Sequence, residues 1–538
     1  MLYAIIFISG GAILSLELLA SRIMTPYFGV SLYIWTGILS ITLIALAIGY
    51  WLGGRLAAGT NGHEPSVPYL LQLYVLMPAL AALGIVAACF AYPYTFAVLA
   101  NWSLVPGAFA ACMVLLFLPL VAASAMNPLL VALTLRNHAG GRARAGDAGT
   151  GRVFFISTLG SVAGVLVTAF GLIPYVSNFE AALIVALVLG LLSAATGFLI
   201  ARPIHNKAIL IATALLAVTL GAVLLWKADA YTGRRGPYSY GGLHWQLEAR
   251  YSSLFGTVKV LRTVASPESP RFLRMYFQDG LNQNTADSNN RSTSFYTYAL
   301  EALARAYKAD MHGALVLGLG AGAVPMRLAE LGVPVEVVDI DPVARRVAER
   351  FFGFNPRKAV THQADARTFV RGCQGAYDVV IVDLFHGDGT PDHLVTREFF
   401  SDLRACLAKG GIAVFNTFAD LQQPITYAHL LTTLRTELPH LVLYRPAVSG
   451  AIHVNSFIVA SAQPLAVPRK VTFDYVPLSL QSMLWSMMSA PIPLHPDLFA
   501  GGRVTTDARS ATAHDYARMQ VVYRKSVVQG VPPAMLIN

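Results

Sequence analysis

The chain has 538 residues, of which 55% are hydrophobic and 13% are charged, and its mean hydropathy is +0.55. This composition is too apolar for an average soluble protein, so part of the chain is predicted to lie in a bilayer. The formal net charge of +10 does not predict nucleic-acid binding, because the basic residues are scattered through loops and form no stripe with interleaved aromatic residues. We therefore expect a lipid bilayer, and no nucleic acid, as a partner.

The N-terminal 230 residues contain seven apolar stretches of about 20 residues, the length that crosses a bilayer as a helix. The sequence begins with apolar residues and lacks the basic start and the cleavage site of a signal peptide. The first apolar stretch is therefore predicted to be a retained membrane span and not a cleaved signal peptide. We therefore predict a multi-pass protein of the inner membrane. The stretches lie near 2–24, 32–52, 69–91, 107–135, 153–173, 179–200 and 208–226.

Basic residues occur only in alternate connections between these stretches, which predicts that the second, fourth and sixth connections and the N-terminus are cytoplasmic. Seven spans would then carry the C-terminal half outside, whereas the basic residues after the last span and a nucleotide pocket favour the inside. A miscount of the long segment 107–135, which contains Pro119, would reverse the result, so the sequence leaves the sidedness open. The basic residues are Arg55, then Arg136, Arg142, Arg144 and Arg152, then Arg202 and Lys207, and after the last span Lys227, Arg234 and Arg235.

Two ionisable residues fall in the first apolar stretch. Glu17 lies well inside it, and an ionisable group in a span is a functional hypothesis. Arg22 lies toward its end, where a side chain that reaches the interface is the competing interpretation. The pair Asn127-Pro128 and the glycines Gly160, Gly164 and Gly171 are predicted to serve kinks and close helix packing.

The four cysteines are few and dispersed. Cys89 and Cys112 fall in apolar stretches, and Cys373 and Cys406 lie in the polar half without a close-spaced metal pattern. We therefore expect neither a disulfide framework nor a metal site.

The C-terminal half is predicted to be an α/β domain. Residues 233–242 are polar and glycine-rich, which indicates a linker, and β-like runs at 244–250, 256–264 and 271–278 predict a small antiparallel unit. An amphipathic helix over 292–308 is followed by strands that alternate with helices, a pattern typical of a mostly parallel, Rossmann-like sheet. The strands are predicted near 314–317, 335–338, 359–362, 378–382, 411–416, 441–445 and 455–460.

These elements divide the chain into four predicted regions. They are a membrane domain over 1–230, a linker with a small β unit over 231–290, a Rossmann-like nucleoside-binding domain over 291–463, and a C-terminal packing tail over 464–538.

A glycine turn follows the first strand of the sheet and acids follow the next three strand ends. Gly318, Gly320 and Gly322 bring backbone N–H groups and a helix N-terminus close to a ligand, and an acid after the next strand can accept ribose hydroxyls. The turn alone fits a methyltransferase-like pocket and also, with Ala323 and an acid about 20 residues on, a dinucleotide pocket. A dinucleotide leaves the later acids without a role, so the pattern favours a nucleoside. The acids are Asp339 and Asp341, then Asp365, then Asp383 and Asp388.

In this order and spacing the motifs resemble the spermidine synthase family, in the bacterial form that fuses a multi-span membrane segment to the synthase-like domain. The resemblance covers nearly the whole chain. It rests on Glu17 to Gly54 with Arg22, Pro26, Gly29, Trp35 and the glycines at 49, 53 and 54, on Gln278-Asp279-Gly280 with Gln283, and on Gly318-Leu-Gly-Ala-Gly. It continues through Asp339-Ile-Asp341-Pro342, Asp365-Ala366-Arg367, and Asp383-Leu-Phe-His-Gly-Asp388 with His393 and Thr396-Arg-Glu-Phe-Phe400.

The resemblance implies a transferase of polyamine biosynthesis that binds decarboxylated S-adenosylmethionine or S-adenosylmethionine and uses no metal. It implies that Asp339 holds the ribose, that Asp365 holds the adenine side, and that Gln283 lies near the sulfonium. The other predicted cofactor-binding residues are Gly318, Gly320, Gly322, Asp341 and Ala366. It also implies an amine acceptor and, because soluble members form dimers or larger assemblies, a homodimer as the candidate assembly.

The acceptor side of the site is predicted from chemistry together with the resemblance. An amine that attacks carbon must be neutral, so Asp383 is the predicted base, and Asp388 could hold the far ammonium of a diamine. Asp279 and Tyr296 are the predicted acceptor-side residues, whereas the loop residues His386 and His393 are interpreted as surface or hydrogen-bonding groups.

Two features depart from the family pattern and leave the acceptor and the form of the donor open. Soluble spermidine synthases carry an Asp in the glycine loop where this chain has Ala321, and a Tyr-His-Glu where it has Tyr296-Thr297-Tyr298. The leading hypothesis is an aminopropyltransferase-like enzyme of the membrane. The alternatives are a methyltransferase whose acceptor arrives from the membrane and a nucleoside-binding sensor without catalysis, coupled to a transporter-like membrane half.

Overall fold

The computed structural model of the chain describes residues 1–30, 32–59, 65–102, 104–137, 146–200, 204–266, 268–384, 391–420, 425–447, 453–509, 524 and 528–538. The chain forms two compact units, Met1–Gly236 with Val528–Asn538, and Pro237–Val527. The segment predicted as one tail is thus divided between them, with 464–509 in the second unit and 528–538 in the first.

The first unit is helical. Within the described residues, seven helical segments are long and apolar enough to cross a membrane, as predicted. Val105–Arg136 counts as one of them, although a π-helical turn at Met113–Phe117 and a break at Ala125 interrupt it. Its helices are α1 (Leu2–Phe28), α2 (Leu32–Ala58), α3 (Val67–Leu99), α4 (Leu104–Cys112), α5 (Leu118–Ser124), α6 (Met126–Asn137), α7 (Gly146–Leu166), α8 (Asn178–Leu199), α9 (Lys207–Trp226) and α10 (Ala228–Tyr231), with α18 (Pro533–Leu536) at the C-terminal end.

Glycines allow α1 and α7 to pack closely. A Cβ atom on Gly11 would lie 3.0 Å from the carbonyl oxygen of Gly160 and 3.4 Å from Cα of Gly164, and Ser161 Oγ donates to the carbonyl oxygen of Gly10 over 2.9 Å. Small residues that let backbones approach are typical of helix contacts in membranes. The predicted packing role is therefore confirmed for Gly160 and Gly164. Gly171 instead lies in a π-helical turn, Val167–Leu172, with one side-chain neighbour 3.9 Å away.

The second unit begins with a five-stranded antiparallel sheet in the order β1-β2-β3-β4-β5. This sheet confirms the predicted β unit and adds an edge strand on each side. The strands are β1 (Tyr238–Tyr240), β2 (Leu243–Ser253), β3 (Gly256–Val264), β4 (Leu273–Gln278) and β5 (Leu281–Asp287).

A seven-stranded sheet follows in the order β11-β12-β10-β9-β6-β7-β8. The pairs β10–β9, β9–β6, β6–β7 and β7–β8 are parallel, and β12 is antiparallel to both neighbours. The predicted Rossmann-like class and all seven predicted strands are confirmed. The strands are β6 (Ala314–Leu317), β7 (Val335–Asp339), β8 (Val360–Gln363), β9 (Tyr377–Val382), β10 (Leu407–Asp420), β11 (His440–Tyr444) and β12 (His453–Ser461).

Helices cover both faces of this sheet because its strands alternate two apolar faces. Val316 and Val337 pack in one cluster with α11 and α12, while Leu315 and Leu317 pack in another with α15 and α16. The chain leaves β6 to form β7 on one side and returns to form β9 on the other, so the loops after these strands meet at the reversal point. The helices are α11 (Phe295–Tyr307), α12 (Ala323–Glu330), α13 (Pro342–Phe351), α14 (Ala366–Arg371), α15 (Arg397–Cys406), α16 (Ile425–Glu437) and α17 (Leu478–Ser489).

One disulfide forms, although the sequence analysis expected no disulfide framework. Cys373, just beyond α14, is bonded to Cys406, the last residue of α15, and their Cα atoms are 5.0 Å apart. The 33-residue separation hid the pair, because α14 and α15 pack side by side only in the folded domain. Cys89 and Cys112 are free and buried, as their apolar surroundings predicted.

Candidate active site

The glycine turn connects β6 to α12 at the reversal point. Gly318, Gly320 and Gly322 have φ values of 96°, 50° and 78°, a region that glycine adopts without the steric cost of a side chain. A Cβ on Gly322 would lie 2.8 Å from Phe354 Cδ2, whereas no described residue comes within 4 Å of such an atom on Gly320. The turn therefore exposes backbone to open space at Gly320, where a ligand can approach closely.

Asp339 ends β7 and is held by the backbone around it. Its two carboxylate oxygens accept the N–H of Leu319 over 2.9 Å and the N–H of Asp341 over 2.8 Å. Burial raises the pKa of Asp339, and these N–H groups oppose that rise. Because a carboxylate has about four lone-pair positions, Asp339 can accept further hydroxyl donors while it braces the turn.

Asp383 directly follows β9 on the other side of the turn. Its N–H donates to the carbonyl oxygen of Leu317 over 2.9 Å, which ties it to the end of β6. Among the described residues, Asn416 is the one donor to its carboxylate, with Nδ2 at 2.9 Å from Oδ1. Burial raises the pKa of Asp383 to about 6, although the Asn416 hydrogen bond lowers it. A carboxylate of this kind is ionised at neutral pH and more basic than an exposed aspartate.

A second asparagine holds Asn416 in place. Asn455, on the antiparallel neighbour β12, donates through Nδ2 to Asn416 Oδ1 over 2.9 Å. With its oxygen occupied in this way, the Asn416 amide presents its N–H₂ group to Asp383. The sequence analysis missed both asparagines, although a polar residue directly after the apolar run 412–415 of β10 could have indicated the first.

Tyr296 and Gln283 are brought together beside Asp383. The Tyr296 hydroxyl, at the start of α11, donates to the carbonyl oxygen of Gln283 over 3.1 Å and accepts from Asn284 Nδ2 over 3.3 Å. Burial raises the pKa of Tyr296, and the nearby Asp383 carboxylate raises it further. The hydroxyl therefore remains a neutral hydrogen-bonding group near the Asp383 carboxylate.

Asp365 caps the N-terminus of α14, after β8. Its Oδ1 accepts from the N–H and the hydroxyl of Thr368 over 2.8 and 3.0 Å, and its Oδ2 lies 3.7 Å from His393 Nε2. Burial alone would raise the pKa of Asp365, but the Thr368 bonds and the nearby histidine outweigh it and hold the pKa below the usual value. The next residue, Ala366, is buried.

Two predicted site acids also serve the local backbone. Asp341 caps α13, and its Oδ1 accepts the N–H of Val343 over 3.0 Å. Asp279 adopts a φ of 47° in the β4–β5 turn, and its Oδ1 accepts the N–H of Thr257 over 2.9 Å. These contacts account for both acids as elements of structure, and their predicted contacts with a ligand stay predictions.

Ala321, the departure inside the glycine turn, points into an apolar cluster. It is buried with Val258, Tyr276 and Val343, residues of the small sheet and α13. Its methyl group thus joins the turn to the small antiparallel sheet, in a place where a carboxylate would have to be desolvated.

The predicted residues Asp388 and His386 lie outside the described residues. The described part of the chain contains no group of three or more His, Cys, Asp or Glu placed to hold a metal ion.

Part of the second unit matches a known class of domain. Residues 294–443 match the family model described as the spermine/spermidine synthase domain. The second unit therefore contains a spermine/spermidine synthase domain, and the resemblance inferred from the motifs is confirmed for this part of the chain.

Individual relatives are similar over the same part. A polyamine aminopropyltransferase of Vibrio vulnificus is 39% identical over 128 residues, which are 23% of this chain and 42% of the relative. An N-terminal histidine N-methyltransferase of Emericella nidulans is 34% identical over 144 residues, 26% of this chain and 25% of the relative. The chain thus spans less than half the length of either protein. A solved structure of a probable spermidine synthase from Corynebacterium glutamicum is 18% identical, with a TM-score of 0.35, and covers 51% of this chain and 94% of its own.

Proposed function

We propose that the chain is a membrane-bound aminopropyltransferase that uses decarboxylated S-adenosylmethionine, or S-adenosylmethionine itself, with an amine or polyamine acceptor. The observation that carries the proposal is the half-buried carboxylate of Asp383, whose pKa is raised and which lies across a glycine turn from Asp339 within a spermine/spermidine synthase domain. The relatives named polyamine aminopropyltransferase support this class of reaction.

In the proposed step the neutral acceptor amine attacks the aminopropyl carbon next to the sulfonium. A C–N bond forms, the C–S bond breaks with its electron pair going to sulfur, and the products are methylthioadenosine and an extended amine. Asp383 takes the proton that the nitrogen releases and orients its lone pair. The hydrogen bond from the Asn416 amide favours the ionised form of that carboxylate and fixes its orientation.

The residues present fit a sulfonium nucleoside. The open space above Gly320 admits the ligand, Asp339 has acceptor capacity for ribose hydroxyls, and Asp365 with Ala366 lies at the next strand end for the adenine. Tyr296 lies near Asp383 and donates to the backbone carbonyl oxygen of Gln283, so we place the sulfonium and the acceptor beside these residues. Asp388 remains the proposed partner of the far ammonium.

The first unit supports the membrane part of the proposal. Seven helical segments with the length and hydropathy of membrane spans precede the synthase domain in the described chain. Many of their large apolar side chains are exposed, including Phe155, Phe170 and Trp226. In a bilayer these side chains would face lipid, so we assign the chain to the inner membrane.

A methyltransferase is the second candidate. The similarity to the histidine N-methyltransferase favours it, as does Ala321, which leaves the glycine turn without the acid of the soluble spermidine synthases. In that reaction the methyl carbon is attacked and S-adenosylhomocysteine is released.

The products distinguish the candidates. Purified protein in nanodiscs would be incubated with each donor and a panel of amines, and nucleoside products followed by chromatography. We expect methylthioadenosine that depends on the amine. S-adenosylhomocysteine would select the methyltransferase instead, and donor binding without either product would select the sensor.

A further inference from the structure

The first unit has two ends, and contacts within it assign each connection to one of them. At one end, which we call the basic end, Arg136 donates to the carbonyl oxygen of Ala57 over 3.2 Å, and the Arg152 guanidinium lies 4.8 Å from the Tyr3 ring centre. The N–H of Asn206 donates to Gln72 Oε1 over 3.0 Å at the same end. The basic end thus gathers the N-terminus and the second, fourth and sixth connections.

The segment after α9 lies at the opposite end. Arg234 is paired with Glu180, the first-turn acid of α8, over 3.4 Å, and the Tyr231 ring stacks on Phe179 with centres 5.4 Å apart. Tyr231 also contacts Tyr94, near the end of α3, with ring centres 6.5 Å apart. The third and fifth connections and the chain that leaves α9 therefore share one end.

The segment Val105–Arg136 crosses the unit once. Gly107 approaches Phe28, with 3.4 Å between a built Cβ and Phe28 Cε1, at the end of the third connection, and Arg136 lies at the basic end. The seven segments are therefore seven crossings, and the miscount that could have reversed the sidedness does not occur.

Charge orients the two ends. In the sequence, the second, fourth and sixth connections contain Arg55, Arg136, Arg142, Arg144, Arg152, Arg202 and Lys207, whereas the first, third and fifth connections contain no basic residue. An excess of basic residues in short connections marks the cytoplasmic side. Three basic residues, Lys227, Arg234 and Arg235, follow the last span, against seven in the second, fourth and sixth connections, so the count of basic residues favours the basic end.

The disulfide gives an independent indication of compartment. Cys373 and Cys406 have a Cα separation of 5.0 Å, inside the range of about 4.4–6.8 Å for disulfides. Disulfides persist in oxidising compartments and are rare in the cytosol. The bonded pair lies in the synthase domain, which follows α9 in the chain.

We propose that the second unit, which contains the synthase domain, lies and acts on the non-cytoplasmic side of the membrane. The proposal rests on the membrane assignment above but not on the reaction. Its consequence for the reaction is that donor and acceptor are drawn from the extracytoplasmic pool, so a nucleoside donor made in the cytosol must first be carried across the membrane.

Labelling of single introduced cysteines tests the sidedness on the full chain. Glu268→Cys places a thiol on an exposed position of the synthase domain, and Lys207→Cys places one at the basic end. In intact bacterial cells a membrane-impermeant maleimide should block E268C and leave K207C free until the cells are permeabilised. Blocking of K207C alone, or of neither position, would overturn the proposal. Membrane fractionation separates these failures, because protein in the soluble fraction would refute the membrane assignment itself.

Thiol counting tests the disulfide without requiring a folded variant. Cells are quenched with acid, and the denatured protein is treated with a polymer-linked maleimide that adds a visible mass for each free thiol. We expect two adducts before reduction, from Cys89 and Cys112, and four after it. Cys373→Ser should show three adducts in both conditions. Four adducts without reductant in the native chain would overturn the compartment argument.

Discussion

Two carboxylates stand at the same edge of the seven-stranded sheet and are held in different ways. Both acids are half-buried, but Asp339 accepts two backbone N–H groups of the loops beside it, whereas Asp383 has one described donor, the side chain of Asn416. Backbone donors fix a carboxylate in position, while burial with a single donor leaves it basic. The difference teaches that one site can divide two tasks between two acids: Asp339 is held in position for binding, and Asp383 is kept basic for proton transfer.

The largest effect should come from removing the base. Asp383→Asn keeps size and the β9 terminus but cannot take a proton, so turnover should fall by about 10²-fold or more. Donor affinity, measured by calorimetry, should change little. Asp378→Asn, at the start of the same strand and paired with Lys308 at 3.2 Å, is the matched control and should retain turnover. Near-normal turnover of D383N would remove Asp383 from the mechanism.

The acid on the other side should affect binding first. Asp339→Ala removes a charged acceptor for ribose hydroxyls, a loss of roughly 1.5–3 kcal/mol, or a tenfold or greater rise in the donor Kd. Glu336→Gln, in the same strand and bonded to His362, controls for damage to β7. Unchanged donor affinity in a folded D339A protein would refute the ribose assignment.

Substitutions at two glycines of the turn between the two acids should affect stability and donor binding differently. At Gly318 a side chain would run into the carbonyl oxygen of Asp383, so Gly318→Ala should lower the thermal unfolding temperature markedly. Gly320→Ala meets open space and should cost about 1 kcal/mol through its positive φ, while its methyl group fills the donor's place. Thermal unfolding and donor titration of both variants check this, and equal destabilisation by the two would contradict it.

The smallest effect should be a shift in pH dependence. The base must be ionised, so kcat/KM should fall as the pH drops through about 6, the raised pKa of Asp383. Asn416→Leu removes the hydrogen bond that lowers this pKa, so the acidic limb should move to higher pH. Activity should then be several-fold lower near pH 6 and little changed near pH 8. A pH–rate profile with an unmoved limb would show that Asn416 does not act on the base.

Local pattern predicted most of the fold. Seven apolar stretches became seven helical segments, and seven strand predictions became the main sheet, because hydrophobic periodicity is a local property of the chain. The glycine turn and the acids at strand ends were also visible, because a parallel sheet brings the loops after β6, β7 and β9 to one edge. The edge strands β1 and β5 were missed, because they are polar in sequence and form strands through pairing with β2 and β4.

The sequence by itself determined the helical N-terminal unit, the α/β class, the turn at Gly318 to Gly322 and the candidate acids, since each depends on residues close in the chain. Tertiary structure alone decided which groups distant in the sequence come into contact. These are Asn416 with Asp383, Ala321 with the small sheet, Cys373 with Cys406, and Arg234 with Glu180. These pairs join residues from different elements, so their contacts exist only after packing. That is why the basicity of Asp383 and the direction in which the chain leaves the last apolar helix emerge from the folded molecule.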